Sequence, residues 1–242
     1  MEKNKLLLVF DIDGTLTKNN DIATVAFRKT VFDIFGITHY NEKWNEYKKD
    51  SDTGIVEEIV YLNQRRIVTK SELLFFQSRY LSHFNTLVDS AGDRIAPVDG
   101  LKDFFASIRE SSLASVALFT GGFPAVALRK LELISVEKQY LMAAAFDGQT
   151  REEVFLKCLL RATGKYSHRF SNVVMFGDSL SDARIASCFR IPIVGVATNL
   201  TANAFFDAGV ANVICDYNNL DIEELIQNVN NRFKLSNNSE LG

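Results

Sequence analysis

Five strand-length apolar runs constrain this chain more than any other feature: Leu6 to Phe10, Ser115 to Phe119, Val173 to Phe176, Ile193 to Val196 and Asn212 to Cys215. Between and beyond them, Leu101 to Arg109, Pro124 to Leu133, Glu152 to Ala162, Ser181 to Cys188, Thr201 to Ala208 and Asp221 to Phe233 carry apolar residues at i, i+3, i+4 spacing, the signature of helices with one buried face. A strand tolerates an unbroken apolar run when both its faces are covered, as in a parallel sheet with helices on each side. The alternation therefore predicts βα units and an α/β fold built on a Rossmann-like parallel sheet. At 242 residues, 47% of them hydrophobic, the chain can bury one large core and a smaller accessory unit.

One segment departs from the alternation. From about Asn19 to Arg94 the stretches "IATVAFRKTVFDIFG", "TGIVEEIVYLNQRR" and "KSELLFFQSRYLSHFNTLV" are consecutive helical patterns with no strand between them. The expected organisation is a core of residues 1–18 and 95–242 with an all-helical insert of residues 19–94. Gly36 is placed to end the first of these helices. "IAPVDG" (Ile95 to Gly100) reads as the return linker, and the polar "SNNSELG" as a frayed end.

Charge and cysteine usage exclude several classes of function. The formal net charge is −3, and no basic run exceeds a pair such as Arg65-Arg66 or Lys48-Lys49, so neither a nucleic acid nor a membrane surface is an expected partner. The apolar run after "MEKNK" reaches Asp11 within five residues, too short for a signal-peptide core, and no stretch approaches spanning length. The expected location is the cytoplasm, as a monomer or weak homodimer. Cys158, Cys188 and Cys215 form no C-x-x-C pair and are expected to be reduced core thiols. His39, His83 and His168 are scattered and read as structural or exposed, and the pairs Phe75-Phe76, Phe104-Phe105 and Phe205-Phe206 as core.

The chemistry lies where the apolar runs end. "LLLVFDIDGTL" (Leu6 to Leu16) closes in Asp11 and Asp13, "SVALF" runs into Thr120-Gly121-Gly122, and "VVMF" into "GDSLSD" (Gly177 to Asp182). Open parallel sheets bind ligands beyond the carboxyl ends of their strands. If the three strands are neighbours, four carboxylates, a hydroxyl and several glycine amides converge on one spot. Four carboxylates that close cannot all stay ionised and unpaired, and a divalent cation resolves the conflict.

These residues resemble the motifs of the haloacid dehalogenase-like hydrolases: a D-x-D-x-T after a strand (Asp11, Asp13, Thr15), a Thr or Ser ending a strand (Thr120) and a G-D-x-x-x-D acidic pair (Asp178, Asp182). Motif order, strand contexts and the helical insert all match, the insert being similar to the C1-type cap of the phosphoglycolate phosphatase-like branch. The resemblance implies a Mg²⁺-dependent phosphatase acting on a small phosphorylated metabolite. In it Asp11 is the nucleophile that forms an aspartyl-phosphate, and Asp13 is the general acid and base. Thr120 and the Gly121 amide hold phosphate oxygens at the start of a helix. Asp11, the Asp13 backbone carbonyl and Asp178 take the Mg²⁺. Asp182 orients those ligands or their waters, with Ser179 and Thr15 in support.

The resemblance has one departure. The third motif supplies a Lys or Arg just before a helix, where this chain has Gln149 in "DGQTREE". Arg151 is the expected substitute, binding phosphate and balancing Asp11, with Lys157 as the other candidate. The loop "SDTGIVEE" (Ser51 to Glu58) is expected to face the site from the insert through Asp52, Thr53 and Gly54. Two other functions use the same residues: a sugar phosphomutase, and a regulatory or binding protein that kept the fold with weak catalysis.

Overall fold

A computed structural model describes residues 5–18, 21–90, 95–137, 139–166, 170–225 and 227. Its strands are β1 (Lys5–Phe10), β2 (Thr17–Lys18), β3 (Ala96–Pro97), β4 (Ala114–Phe119), β5 (Leu141–Ala143), β6 (Phe170–Gly177), β7 (Ile193–Val196) and β8 (Asn212–Ile214). Six of them form one sheet in the order β5-β4-β1-β6-β7-β8, every pair parallel. The expected α/β fold is thus present. Two features went unread. The three residues of β5 are too few to register as an apolar run, and β2, at the end of the first core segment, pairs antiparallel over two residues with β3, which lies inside the stretch expected to be the return linker.

The helices are α1 (Asp21–Phe35), α2 (Asp52–Gln64), α3 (Lys70–Ser90), α4 (Leu101–Ser111), α5 (Pro124–Leu133), α6 (Arg151–Lys165), α7 (Leu180–Cys188) and α8 (Ala202–Asp207). The first three, with a 3-10 turn at Trp44–Glu46, make up the insert, and no strand occurs among residues 21–90. Its expected boundaries at Asn19 and Arg94 lie outside the described residues, as do His168, the polar tail and most of the helix expected over Asp221 to Phe233, of which residues 222–225 are helical. Gly36, at φ +67°, follows α1 and donates to Phe32 O at 2.8 Å, as a helix terminator should.

Strand alternation divides the core. Leu6, Leu8 and Phe10 of β1 face one side with α4 and α5. Leu7 and Val9 face the other with Val154, Phe155 and Cys158 of α6 and Ile185 and Ala186 of α7. The first layer runs on into the insert, where the Phe76 and Phe123 rings lie 5.5 Å apart, so insert and core share one apolar interior. Neighbouring residues on a helix point about 100° apart, which separates two of the phenylalanine pairs: Phe76 and Phe205 are buried, whereas Phe75 and Phe206 are exposed. Phe104 and Phe105 both go inward because both pack on Phe10. The thiols divide likewise. Cys158 is buried, but Cys188, at the end of α7, and Cys215, just past edge strand β8, are exposed rather than core. Among the described residues no helix is long and apolar enough to cross a membrane.

Candidate active site

Because β4 and β6 flank β1, with Phe10 opposite both Leu118 and Phe176, the residues following the three strands meet at one edge of the sheet. Asp11, Thr120, Asp178 and Asp182 are all buried there. One oxygen from each of Asp11, Asp178 and Asp182 lies within 4.8 Å of the others. After Asp13 the chain folds back, Leu16 N and Thr17 N both donating to Ile12 O at 2.9 and 3.1 Å. Gly14 makes this turn at φ +78°, and a Cβ there would run into Asp178 Oδ2 and Asn199 Nδ2. Only glycine satisfies both constraints. Asp178 is fixed by Asn199 Nδ2 at 2.6 Å and Thr15 Oγ1 at 3.5 Å, and Thr15 in turn accepts at its carbonyl from the buried Tyr217 hydroxyl at 3.0 Å.

Arg151 opens α6, whose N-cap Thr150 accepts from Glu153 N. One of its terminal nitrogens donates to Asp11 Oδ1 at 3.1 Å and to Asp182 Oδ1 at 2.5 Å, and the guanidinium lies 5.2 Å from the centre of the Phe119 ring. Its Nε is buried without a hydrogen-bond partner in the protein, a donor that calls for an acceptor. Asp182 Oδ2 accepts from Ser179 N at 3.1 Å and Ser179 Oγ at 2.6 Å. Asp182 is therefore tied to Arg151 and to the cap of α7. Gln149 turns to the insert, donating to Glu57 Oε2 at 2.8 Å, and Lys157 is exposed.

Concentrating carboxylates has the expected electrostatic cost. Burial pushes the Asp11 carboxyl well above its ordinary range; Arg151 opposes this, and Asp182, Asp178 and Asp13 add to it. Burial and the charge of Asp182 push Asp178 up to about 7. A hard divalent cation would relieve this crowding, and the all-oxygen donor set of Asp11, Asp178 and Asp182 fits Mg²⁺. The sign of the consequence is fixed. An unfolded aspartate titrates near ~3.9, so Asp178 favours the folded protein fully below about pH 4 and loses that contribution as pH rises to about 7. The melting temperature of EDTA-treated protein is expected to fall between pH 5 and 8, and Asp178→Asn to flatten the slope. An equal slope in the variant would show that Asp178 is not crowded as described.

The second strand end forms a cradle. Thr120 N donates to Ala143 O at 3.0 Å, and Thr120 Oγ1 accepts from Gly122 N at 3.0 Å. The start of α5, expected to favour a phosphate held by Thr120 and Gly121, is also engaged by the insert. Phe123 N donates to Asp52 Oδ2 at 3.0 Å and Ala125 N to Gln77 Oε1 at 3.1 Å. Asp52 thus places its carboxyl at that helix terminus, and burial, opposed by the Phe123 amide, pushes it up to about 7. The loop Asp50 to Thr53 is stitched to the core: Asp52 N reaches Gly121 O at 2.7 Å, Thr53 Oγ1 Ala145 O at 2.8 Å, and Asp50 accepts from Arg151 N and Arg184, both at 2.8 Å.

Between insert and core lies a cavity of about 280 Å³. Asp13, Thr120, Gly121 and Arg151 form its floor, and Phe27, Trp44, Ile55, Tyr80 and Phe123 much of its wall. Lys130 also lines it, 4% exposed, with its ammonium on Asp13 Oδ1. Sequence reasoning missed this residue. The available signal was its place among Val126, Ala127 and Leu131 on the buried stripe of α5.

A family model described as haloacid dehalogenase-like hydrolase matches residues 6–189. No curated protein matches the chain in sequence. Among solved structures, a hydrolase from Pseudomonas syringae is 16% identical at a TM-score of 0.65, over 93% of this chain and 99% of that one. CbbY from Rhodobacter sphaeroides, solved with phosphate, is 16% identical at 0.67, over 88% and 95%. A β-phosphoglucomutase from Clostridium difficile is 17% identical at 0.65, over 94% and 98%. At these identities the structures share the fold.

Proposed function

Since the chain belongs to the haloacid dehalogenase-like hydrolases, we propose that it is a Mg²⁺-dependent phosphatase that hydrolyses a small phosphomonoester through an aspartyl-phosphate on Asp11. The observation that carries this reading is the pairing of Asp11 with the Arg151 guanidinium at 3.1 Å, beside a buried Nε with no partner. A carboxylate can attack a phosphate dianion only where fixed positive charge offsets the repulsion. The same contact speaks against the regulatory-protein alternative that Gln149 raises.

In this mechanism Asp11 attacks phosphorus in line while Arg151 and the Thr120 hydroxyl hold non-bridging oxygens. Asp13 gives its proton to the leaving oxygen, then takes one from the water that cleaves the intermediate. Asp11, Asp178 and the Asp13 backbone carbonyl would hold Mg²⁺, which would supply charge neutralisation when bound. Asp182, through its bonds to Arg151 and Ser179, keeps the guanidinium against Asp11. The helical insert acts as a cap that excludes water and selects the leaving group, its loop Asp50 to Thr53 closing on the core. All these groups come from one chain, so a monomer suffices.

The test is phosphate release over a panel of phosphorylated metabolites with Mg²⁺ and with EDTA. Release from a small phosphomonoester that EDTA abolishes is expected. Turnover only in the presence of a sugar bisphosphate would favour a mutase, and release unaffected by EDTA would exclude the metal.

A further inference from the structure

A lysine seldom lies on the apolar stripe of a helix, because burying an ammonium is costly unless a carboxylate meets it. Lys130 does so, with its charge on Asp13 Oδ1 and its Nζ 5.9 Å from the centre of the Phe84 ring. The other oxygen of that carboxylate lies over the cradle. A Cβ on Gly122 would stand 3.9 Å from Asp13 Oδ2 and 3.2 Å from Thr120 Oγ1, so the second Asp13 oxygen and the Thr120 hydroxyl flank the same glycine. Lys130 thus grips Asp13 by one oxygen while the second lies on the Thr120 side of the carboxylate.

We propose that Lys130 is a positioning residue for leaving-group protonation: it holds Asp13 in the donating orientation and stands as the counter-ion of the carboxylate that remains. As the bond from Asp11 to phosphorus forms and the ester P–O bond breaks, the Asp13 proton passes to the departing oxygen, leaving a carboxylate against the ammonium. As water forms its bond to phosphorus and the Asp11–phosphorus bond breaks, the water proton returns to Asp13. Lys130 keeps its own protons throughout. Its influence is therefore greatest for leaving groups that need a proton, since an alkoxide or phenolate departs poorly unprotonated whereas a nitrophenolate does not.

The inference rests on the phosphatase reading and is tested on the full chain with Mg²⁺, using phenyl phosphate and p-nitrophenyl phosphate. The readout is the ratio of kcat/KM for the two esters. In Lys130→Met that ratio is expected to shift at least about tenfold against phenyl phosphate, within the range of general-acid contributions. Lys130→Arg should return it toward the wild-type value. Asp13→Ala combined with Lys130→Met should lose no more than Asp13→Ala alone, because both act on one step. If Lys130→Met does not fold, Lys130→Gln gives the same ratio. A uniform loss on both esters, or a double-variant loss equal to the product of the single losses, overturns the proposal. Wild-type protein that hydrolyses neither ester nor any metabolite would instead overturn the phosphatase reading.

Discussion

Asp11→Asn is expected to reduce phosphate release by at least about a thousandfold, the scale of removing a covalent nucleophile. The amide is nearly isosteric, and Asp11 is 2% exposed with Arg151 at 3.1 Å, so the site should keep its shape. What is lost is the attacking oxygen. Removing one of several crowded carboxylates also relieves repulsion among Asp11, Asp178 and Asp182, whose oxygens gather within 4.8 Å. The variant should therefore melt at a temperature equal to or above the wild type in EDTA while being inactive in Mg²⁺. Activity within tenfold of wild type would exclude Asp11 as nucleophile, and a large loss of stability would attribute the inactivity to misfolding.

Arg151→Ala is expected to cut kcat by about a hundredfold, typical of removing one transition-state donor. Two carboxylates lose their fixed partner at once, since the same nitrogen serves Asp11 and Asp182. Burial disfavours the guanidinium charge, but Asp182 and Asp11 more than offset it and hold its pKa above the ordinary arginine value, so the charge persists at any working pH. Lys157→Ala, on an exposed residue of the same helix, should leave kcat within about twofold, as surface changes away from a site usually do. Equal losses in the two variants would mean that the net charge of α6 matters and the contact with Asp11 does not.

How much of this was readable depended on the range over which each residue's neighbours are fixed. Asp11, Thr120 and Asp178 were legible because each follows an apolar strand, and strand ends in a parallel sheet share one edge. Arg151 was legible through the resemblance, which asks for a cation near the start of this helix. The approach of Asp52 followed from its loop, but its occupation of the start of α5 did not, since that contact spans 71 residues of chain. Spacing put Asp182 beside the metal ligands, where an oxygen of it lies within 4.8 Å of Asp11 and Asp178, but gave no direction; its two oxygens turn to Arg151 and Ser179. Asn199 gave no signal, lying in a loop past β7. Lys130 was hidden in an apolar pattern that tolerates one charged residue at its margin, where only the i, i+4 relation to Val126 put it on the buried face.

The most direct test of the account is to identify the phosphorylated residue during turnover. Protein quenched in acid while hydrolysing a labelled phosphomonoester in Mg²⁺ should carry label on the peptide containing Asp11, removable by hydroxylamine as an acyl phosphate is, and absent in Asp11→Asn. Label on another residue, or steady phosphate release with none on the Asp11 peptide under conditions that preserve acyl phosphates, would contradict it.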